Sequence, residues 1–247
     1  MRIYNLIFKI IFPLIVLRSI YKSLRFGENL SRILEKLSFY IGEKGSKAII
    51  HIHAVSVGEV LASRKFIEEI QKRFPDHQIL ITCTTQTGSA TIKRLYGNSV
   101  FHQYMPFDLK TCINRFLKVW KPEMTFILET EIWPNFINIL NKQHRKVFLV
   151  NGRMSEKSFK RYKSILPILD GVFSKLDFTI CQGIQDQKRF VSLGVHKDRI
   201  KHDYSFKFDS ISFSNEKKEY KDNKEKKLII CASTHEPEEK ILVEAFE

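Results

Sequence analysis

Short apolar runs alternate with amphipathic segments along most of the chain. The segment 48–55 (AIIHIHAV) has the length and apolar density of a buried strand. The segment 59–74 places Ile67 and Ile70 on one side and charged residues on the other, and Pro75 follows it. This spacing predicts a single amphipathic helix that ends before the proline.

Five further apolar runs are predicted to form strands, at 79–84, 100–105, 125–128, 147–150 and 178–181. A turn at Gln86-Thr87-Gly88 and a short helix ending at Tyr96 are predicted after the first of these runs. Helical segments lie between the other strands. Because a β-α-β-α order implies parallel strands joined by crossover helices, the sequence predicts an α/β fold, a Rossmann-like layer with helices on both faces of the sheet.

The N-terminus departs from this pattern. Residues 3–20 are rich in Ile, Leu and Phe, although Pro13 interrupts them, and the basic residues Arg18 and Lys22 come at their end. A spanning helix needs about 20 apolar residues, so the length is marginal. We predict that residues 1–22 anchor the protein to a membrane, either across it or in its interface. The basic residues would keep the following domain in the cytoplasm. The alternative is a core or surface helix of a soluble protein.

The C-terminal part changes again. Residues 210–227 (SISFSNEKKEYKDNKEKK) are polar and mixed in charge, which is typical of a linker. A new strand at 228–232 and a helix from His235 are predicted after it. We therefore expect one complete Rossmann-like domain over 46–209 and only the beginning of a second, truncated domain over 228–247.

The composition narrows the possible partners. The chain has 247 residues with 43% apolar content and a net charge of +14. Such a charge favours nucleic acid, anionic lipid headgroups or phosphorylated substrates. The basic residues are spread along the chain and not gathered in one arm, which weakens the nucleic-acid interpretation. Four cysteines without a C-x-x-C pair argue against a zinc ribbon or a disulfide framework and indicate reduced thiols.

Candidate chemistry lies where predicted strands end, because ligands of parallel α/β sheets bind beyond the carboxyl ends of the strands. The first candidate loop runs from Ser56 to Glu59. Gly58 would let a ligand approach the backbone closely. Glu59 falls near a helix N-terminus, where the helix dipole favours the ionised carboxylate that a general base requires. The alternative is a first-turn acid that only stabilises the helix.

The second candidate loop, 84–89 (TTQTGS), places hydroxyls and a glycine before a helix. Its backbone N–H groups could bind a phosphate or a sugar, although N-capping explains the same residues. His51 and His53 lie two apart and therefore share one face of a strand. No obvious third metal ligand accompanies them in the sequence, so we interpret them as core histidines.

The third candidate is an acidic pair, Glu129 and Glu131, that ends an otherwise apolar strand. Carboxylates at such a place cost stability unless they face solvent or a partner. The Trp133-Pro134 pair that follows is typical of a turn or a first helical turn. Arg153, after the strand 147–150, is the fourth candidate and could bind an anion. A solvated surface arginine is the alternative.

Six segments, in this order and spacing, resemble the Kdo transferases, which transfer 3-deoxy-D-manno-octulosonic acid (Kdo): HAVSVGEVLAS, TCTTQTGSATIKRL, MPFDL, ETEIWPN, NGRMSEKS and FKFD. STHEPEE resembles the start of the family's second domain. The resemblance implies a GT-B glycosyltransferase with two Rossmann-like domains and the active site between them. It further implies CMP-Kdo as donor, lipid IVA (a tetraacylated disaccharide bisphosphate) as acceptor, inversion at the anomeric carbon, no cofactor and no metal. The implied location is the cytoplasmic face of the inner membrane.

The resemblance also implies roles for particular residues. Glu59 matches the base that takes the proton from the acceptor hydroxyl, and Glu129 and Lys207 match residues that stabilise the transition state. Further positions are expected to bind the acceptor: Ser56, Gly58, Thr87, Gly88, Glu131 and Arg153.

The chain departs from the family pattern in two places. HDYSFKFD at 202–209 stands where the family usually has a glycine turn, and Pro237 stands where a glycine is usual. The nucleotide-binding loops of the family would lie beyond residue 247. We therefore expect no transfer by this chain alone. The alternative function is that of a catalytically inactive fragment, truncated or from a split gene, that binds acceptor or a partner chain only.

Overall fold

The computed structural model describes residues 1–26, 31–39, 45, 47–203, 205–206, 234 and 236–245. The chain divides into two units, Met1–Ile211 and Ser212–Glu247. The whole predicted linker 210–227, the predicted strand 228–232 and Lys207 lie outside the described residues.

The first unit is built on one sheet of seven parallel strands in the order β3-β2-β1-β4-β5-β6-β7. The strands are β1 Ala48–His53, β2 His77–Cys83, β3 Phe101–Tyr104, β4 Met124–Leu128, β5 Lys146–Gly152, β6 Phe178–Cys181 and β7 Ile200–His202. The order reverses between β1 and β4, which is the topological switch point at which ligands of this fold class bind. The predicted α/β, Rossmann-like fold is confirmed.

Helices connect the strands and cover both faces of the sheet. The α-helices described are α1 Arg2–Phe26, α2 Ser31–Lys36, α3 Val57–Ala62, α4 Arg64–Arg73, α5 Gln86–Tyr96, α6 Lys110–Trp120, α7 Pro134–Lys142, α8 Glu156–Ile165, α9 Ile184–Ser192 and, in the second unit, α10 Glu238–Glu244. Alternate residues of β1 point to opposite faces, so Ile49 joins one buried cluster while Ile50 and Ile52 join the other.

Three details differ from the prediction. The predicted helix 59–74 is two helices that meet at Ser63, whose buried hydroxyl donates to the Val60 carbonyl at 3.1 Å. Such a side chain offers the backbone an alternative to a continuous helix. The predicted turn at 86–88 is the first turn of α5, because the Thr85 hydroxyl caps it by accepting the Gly88 N–H at 3.1 Å. Strand β7 was not predicted.

The two histidines of β1 belong to the core, as predicted. His51 and His53 are both fully buried, and each bonds the Thr82 hydroxyl at 2.8 Å. Burial lowers the pKa of His51 and lowers that of His53 to about 4. Both imidazoles are therefore neutral, and they pack against the rings of Phe136 and Trp133.

Helix α1 packs against the rest of the first unit with one side only. The Tyr4 hydroxyl donates to Asp108 Oδ2 at 2.8 Å, and the rings of Phe12 and Phe107 meet edge to face. Its stretch Arg2–Tyr21 is long and apolar enough to cross a membrane, judged by length and composition alone. Large apolar side chains on the opposite side are more than half exposed: Ile3, Leu6, Ile10, Leu14 and Leu17.

Candidate active site

A small cavity lies beyond the carboxyl ends of β1, β4 and β5. Its volume is about 250 Å³, and it is lined by Glu59, Glu129, Thr130, Glu131, Arg153, Ser155 and Ser158. Glu59 comes from the loop and helix that follow β1, and Glu129 directly follows β4. Since β1 and β4 are neighbours at the switch point of the sheet, two loops far apart in sequence meet here.

Glu59 is held by the start of its own helix. Its Oε2 accepts the Val55 N–H at 2.8 Å, and its Oε1 accepts the Ser56 hydroxyl at 3.1 Å. The Glu59 N–H in turn points to the Ser56 hydroxyl oxygen, the N-cap of α3, at 3.4 Å. This is a capping-box arrangement, which stabilises the helix start and fixes the carboxylate. Burial raises the pKa of Glu59, the bond from Val55 opposes it, and the charge of Glu129 adds to it.

Glu129 and Glu131 complete a group of three carboxylates. Glu129 has a φ of +55°, a left-handed conformation that costs energy for a residue with a side chain. Its N–H donates to the Val150 carbonyl at 3.0 Å, which holds the strained residue at the edge of the sheet. Burial, with the nearby charges of Glu59 and Glu129, raises the pKa of Glu131 to about 7. Strain and clustered like charges at one place are typical of functional sites.

Arg153 brings positive charge to the same cavity. The loop that carries it is fixed by its backbone: the Arg153 carbonyl accepts the Thr130 hydroxyl, and the Met154 N–H donates to Asp186 Oδ1 at 2.7 Å. Arg189 also donates to the Met154 carbonyl at 2.7 Å. Arg153 therefore lies on a loop that is fixed by its backbone, and it lines the cavity together with the three carboxylates.

The other residues that were predicted to bind the acceptor do not line the carboxylate cavity. They line a different cavity or have a role in the local backbone structure. Thr87 lines a second, larger cavity of about 570 Å³. Gly88 is a packing requirement, because a Cβ there would lie 2.8 Å from the Thr85 hydroxyl oxygen. At Gly58 a Cβ would meet only Ser56 Oγ at 3.9 Å, so space alone does not demand a glycine. Ser56 acts on the cavity through its bond to Glu59.

Three residues that line the carboxylate cavity were not predicted: Thr130, Ser155 and Ser158. Thr130 stands between the two acids of the third candidate loop, and that position could have drawn attention to it. Ser155 caps α8 by accepting the Ser158 N–H at 3.1 Å. Both serines lie in the segment NGRMSEKS, which carries part of the family resemblance, and that segment could have drawn attention to them.

Comparison with known proteins decides the family. The family model described as 3-deoxy-D-manno-octulosonic-acid transferase (kdotransferase) matches residues 31–210. The chain belongs to the Kdo transferase family. Within this family it is 33% identical, over 202 residues, to the 3-deoxy-D-manno-octulosonic acid transferase of Haemophilus influenzae. It is 28% identical over 245 residues to the enzyme of that name from Rickettsia bellii.

The chain spans about half the length of these curated relatives. The matched region is 79% of this chain and 47% of the Haemophilus influenzae protein, and 98% of this chain and 58% of the Rickettsia bellii protein. Among solved structures, a UDP-N-acetylglucosamine 2-epimerase superposes with a TM-score of 0.44 at 11% identity, over 63% of this chain and 47% of that one. A similarity this low does not bear on function.

Proposed function

We propose that this chain supplies the acceptor-binding half of a GT-B Kdo transferase, which moves Kdo from CMP-Kdo to lipid IVA in lipopolysaccharide synthesis. Inversion at the anomeric carbon without a metal or a cofactor is part of the proposal. The observation that carries it is the cavity at the switch point, where Glu59, Glu129 and Glu131 meet Arg153 in a chain of this family.

In the proposed reaction, the acceptor hydroxyl oxygen attacks the anomeric carbon of Kdo. The bond from that carbon to the CMP phosphate breaks, and CMP leaves with the electron pair. Glu59 takes the hydroxyl proton, a role suited to a carboxylate held by two hydrogen bonds at the cavity. Glu129 would stabilise positive charge at the sugar carbon. Lys207, assigned by family resemblance alone, would offset the charge that grows on the phosphate.

We further propose that the protein works at the cytoplasmic face of the inner membrane. Helix α1 contacts the rest of the first unit through Tyr4 and Phe12 and leaves an apolar side exposed. A helix of this kind can lie in the membrane interface with the exposed side among the acyl chains. The lipid acceptor would then reach the cavity without leaving the bilayer.

Two other functions compete with this one. A catalytically inactive fragment would bind acceptor, or a partner chain, and transfer nothing. A basic RNA-binding domain would account for the net charge of +14. It would not account for the ETEIWPN segment or for the match to the Kdo transferase family, which disfavours RNA.

A chimera tests the proposal. Residues 1–211 would be joined to the part of the Haemophilus influenzae relative that this chain does not match, and incubated with radiolabelled CMP-Kdo and lipid IVA. We expect labelled lipid from the chimera and none from the 247-residue chain or the donor part alone. A folded chimera that binds CMP-Kdo but forms no labelled lipid would favour the inactive fragment.

A further inference from the structure

The cavity that Thr87 lines has a distinct chemical character. It measures about 570 Å³, within the ~300–1,000 Å³ typical of ligand sites. Its walls come from α1, α2 and the loop between β2 and α5. Among the described residues that line it are three cations, Arg18, Arg32 and Lys36, and no carboxylate.

Two of these cations have contacts with neutral groups. Arg32 donates to Gln86 Oε1 at 3.4 Å, and its guanidinium lies 4.6 Å from the centre of the Tyr104 ring. Lys36 donates to the Thr84 carbonyl at 3.3 Å and lies over the same ring. Arg32 is only 8% exposed, so its guanidinium is largely out of water. Charge-assisted hydrogen bonds to an anion are strong in such surroundings.

Helix α5 adds to this positive character. Its capping residue Thr85 and its first residues, Gln86 and Thr87, line the cavity. The N-terminus of an 11-residue helix carries partial positive charge, and it offers N–H donors to an anion. Together with three cations, it suits a doubly charged anion with several oxygens, as a terminal phosphate is at neutral pH.

The position of the cavity indicates where such a phosphate would come from. Ile15, Arg18 and Ser19 of α1 form one wall, and the exposed side of the same helix that carries Leu14 and Leu17 begins next to Arg18, because Leu14 lies one turn before it. If that side rests on acyl chains, Arg18 lies at headgroup depth, where basic side chains of interfacial helices are usual. A site for a soluble phosphate would not require an exposed apolar helix side next to it.

We infer that this basic cavity binds the terminal phosphate of a membrane lipid headgroup. The inference deepens the proposed function. The cavity lies beyond β2, whose end pairs with the end of β1 through Thr82 and His53, and Glu59 follows β1 at the same edge of the sheet. A phosphate held here would keep the rest of a lipid-linked sugar along the edge that carries the carboxylates.

The test measures binding of the full 247-residue chain to vesicles that contain no sugar and no nucleotide. Phosphatidylcholine vesicles would carry phosphatidic acid, a phosphomonoester, or phosphatidylglycerol, a phosphodiester, at matched surface charge. We expect tighter binding to phosphatidic acid. Arg18→Gln with Lys36→Gln should weaken that binding by roughly tenfold or more, as expected for lost charge-assisted hydrogen bonds.

The matched control removes the same charge from exposed positions of α1 outside the cavity, Arg2→Gln with Lys9→Gln. It should keep the preference for phosphatidic acid. Equal losses in the two double variants would reduce the effect to general surface charge and overturn the inference. Glycerol phosphate in solution, bound as tightly as the vesicles, would overturn the lipid assignment. Neither result depends on Kdo transfer, which the chimera tests separately.

Discussion

At the scale of single residues, Glu59 has a structural role that is visible without any substrate. Its carboxylate accepts the Val55 N–H and the Ser56 hydroxyl, and so closes the first turn of α3. A capping box accepts glutamine as well as glutamate at this position, because the amide oxygen can accept the Val55 N–H while the amide NH2 donates to the Ser56 hydroxyl oxygen. Catalysis needs a proton acceptor, which glutamine is not. The two roles can therefore be separated by one substitution.

We expect Glu59→Gln to leave the thermal unfolding of the chain nearly unchanged, while it lowers transfer by the chimera about 10²–10⁴-fold, the usual effect of losing a general base. Glu59→Ala should lose both the cap and the base, with about 1 kcal/mol less stability. Glu68→Gln on α4, at an exposed position, serves as the control and should change neither the stability nor the rate of transfer. Normal turnover by the glutamine variant would leave Glu59 as a capping residue only.

The raised pKa of Glu131 predicts that the stability of the folded chain depends on pH. Its pKa is about 7 in the folded chain because of burial and the charges of Glu59 and Glu129, against about 4.3 for an unperturbed glutamate. Between these values the folded state keeps a proton that the unfolded state has lost. The free energy of unfolding therefore falls as pH rises through this window.

Glu131→Gln removes this dependence. At about pH 8 the variant should be more stable than the parent by on the order of 1–3 kcal/mol, and at about pH 4 the two should be nearly equal. Thermal melts across this range measure the difference. A gain that is the same at both pH values would mean that the charge of Glu131 is not the cause.

The sequence predicts the individual residues of the carboxylate cavity better than it predicts that they lie close together. Glu59, Glu129 and Arg153 each stand out as polar residues after an apolar run. Their convergence depends on β1 lying beside β4, and on β4 lying beside β5. Strand order follows from packing of the whole sheet, so no local pattern contains it. The family resemblance supplied the grouping that the residue pattern could not.

At the scale of elements, Asp108 joins three parts of the first unit. Its carboxylate accepts the N–H groups of Asn135 and Phe136 in the first turn of α7, both at 2.9 Å, and the Tyr4 hydroxyl of α1 at 2.8 Å. The residue is fully buried, and burial raises its pKa to about 6 although these bonds oppose the change. Helix α1 and the helix after the acidic pair thus share one anchor.

Tyr4→Phe tests this anchor by removing one hydroxyl. A lost hydrogen bond to a buried charged group costs about 1.5–3 kcal/mol, which lowers the melting temperature by several degrees in a domain of this size. Tyr21→Phe on the same helix is the control, because that side chain is 57% exposed and should have little effect. Equal melting temperatures for the two variants would show that the bond between Tyr4 and Asp108 contributes little.

The limits of sequence patterns are also visible in particular elements. The six strands from β1 to β6 were found because their apolar runs are dense, and β6 has the predicted bounds, Phe178–Cys181. Strand β7 has three residues, two of them polar, so periodicity had nothing to detect. The break at Ser63 was missed because the apolar spacing of Val60, Ile67 and Ile70 continues across it, although Ser63 lies on the same side and is buried.

At the scale of the whole molecule, the first unit presents two different surfaces. The carboxylate cavity lies at the switch point of the sheet, and the apolar side of α1 lies against no described part of the chain at Leu6 and Leu14, which are 61% and 66% exposed. Deleting residues 1–22 would remove the apolar side, the Tyr4 anchor and a wall of the basic cavity together. Single substitutions on the exposed apolar side test membrane binding while the Tyr4 anchor and the wall of the basic cavity stay in place.

We expect Leu14→Gln to weaken binding to phosphatidylcholine vesicles about tenfold at high salt, and Leu6→Gln added to it about a hundredfold in total. The reason is that each buried leucine contributes roughly 1.5–3 kcal/mol, and high salt removes most of the electrostatic part. Ile184→Gln on α9 replaces an equally apolar side chain that is 53% exposed, and it should change binding little. Vesicle flotation measures all three, with unfolding curves to show that the variants fold. If the double variant floats with the vesicles as the parent does, the exposed side of α1 does not enter the interface, and the membrane assignment fails.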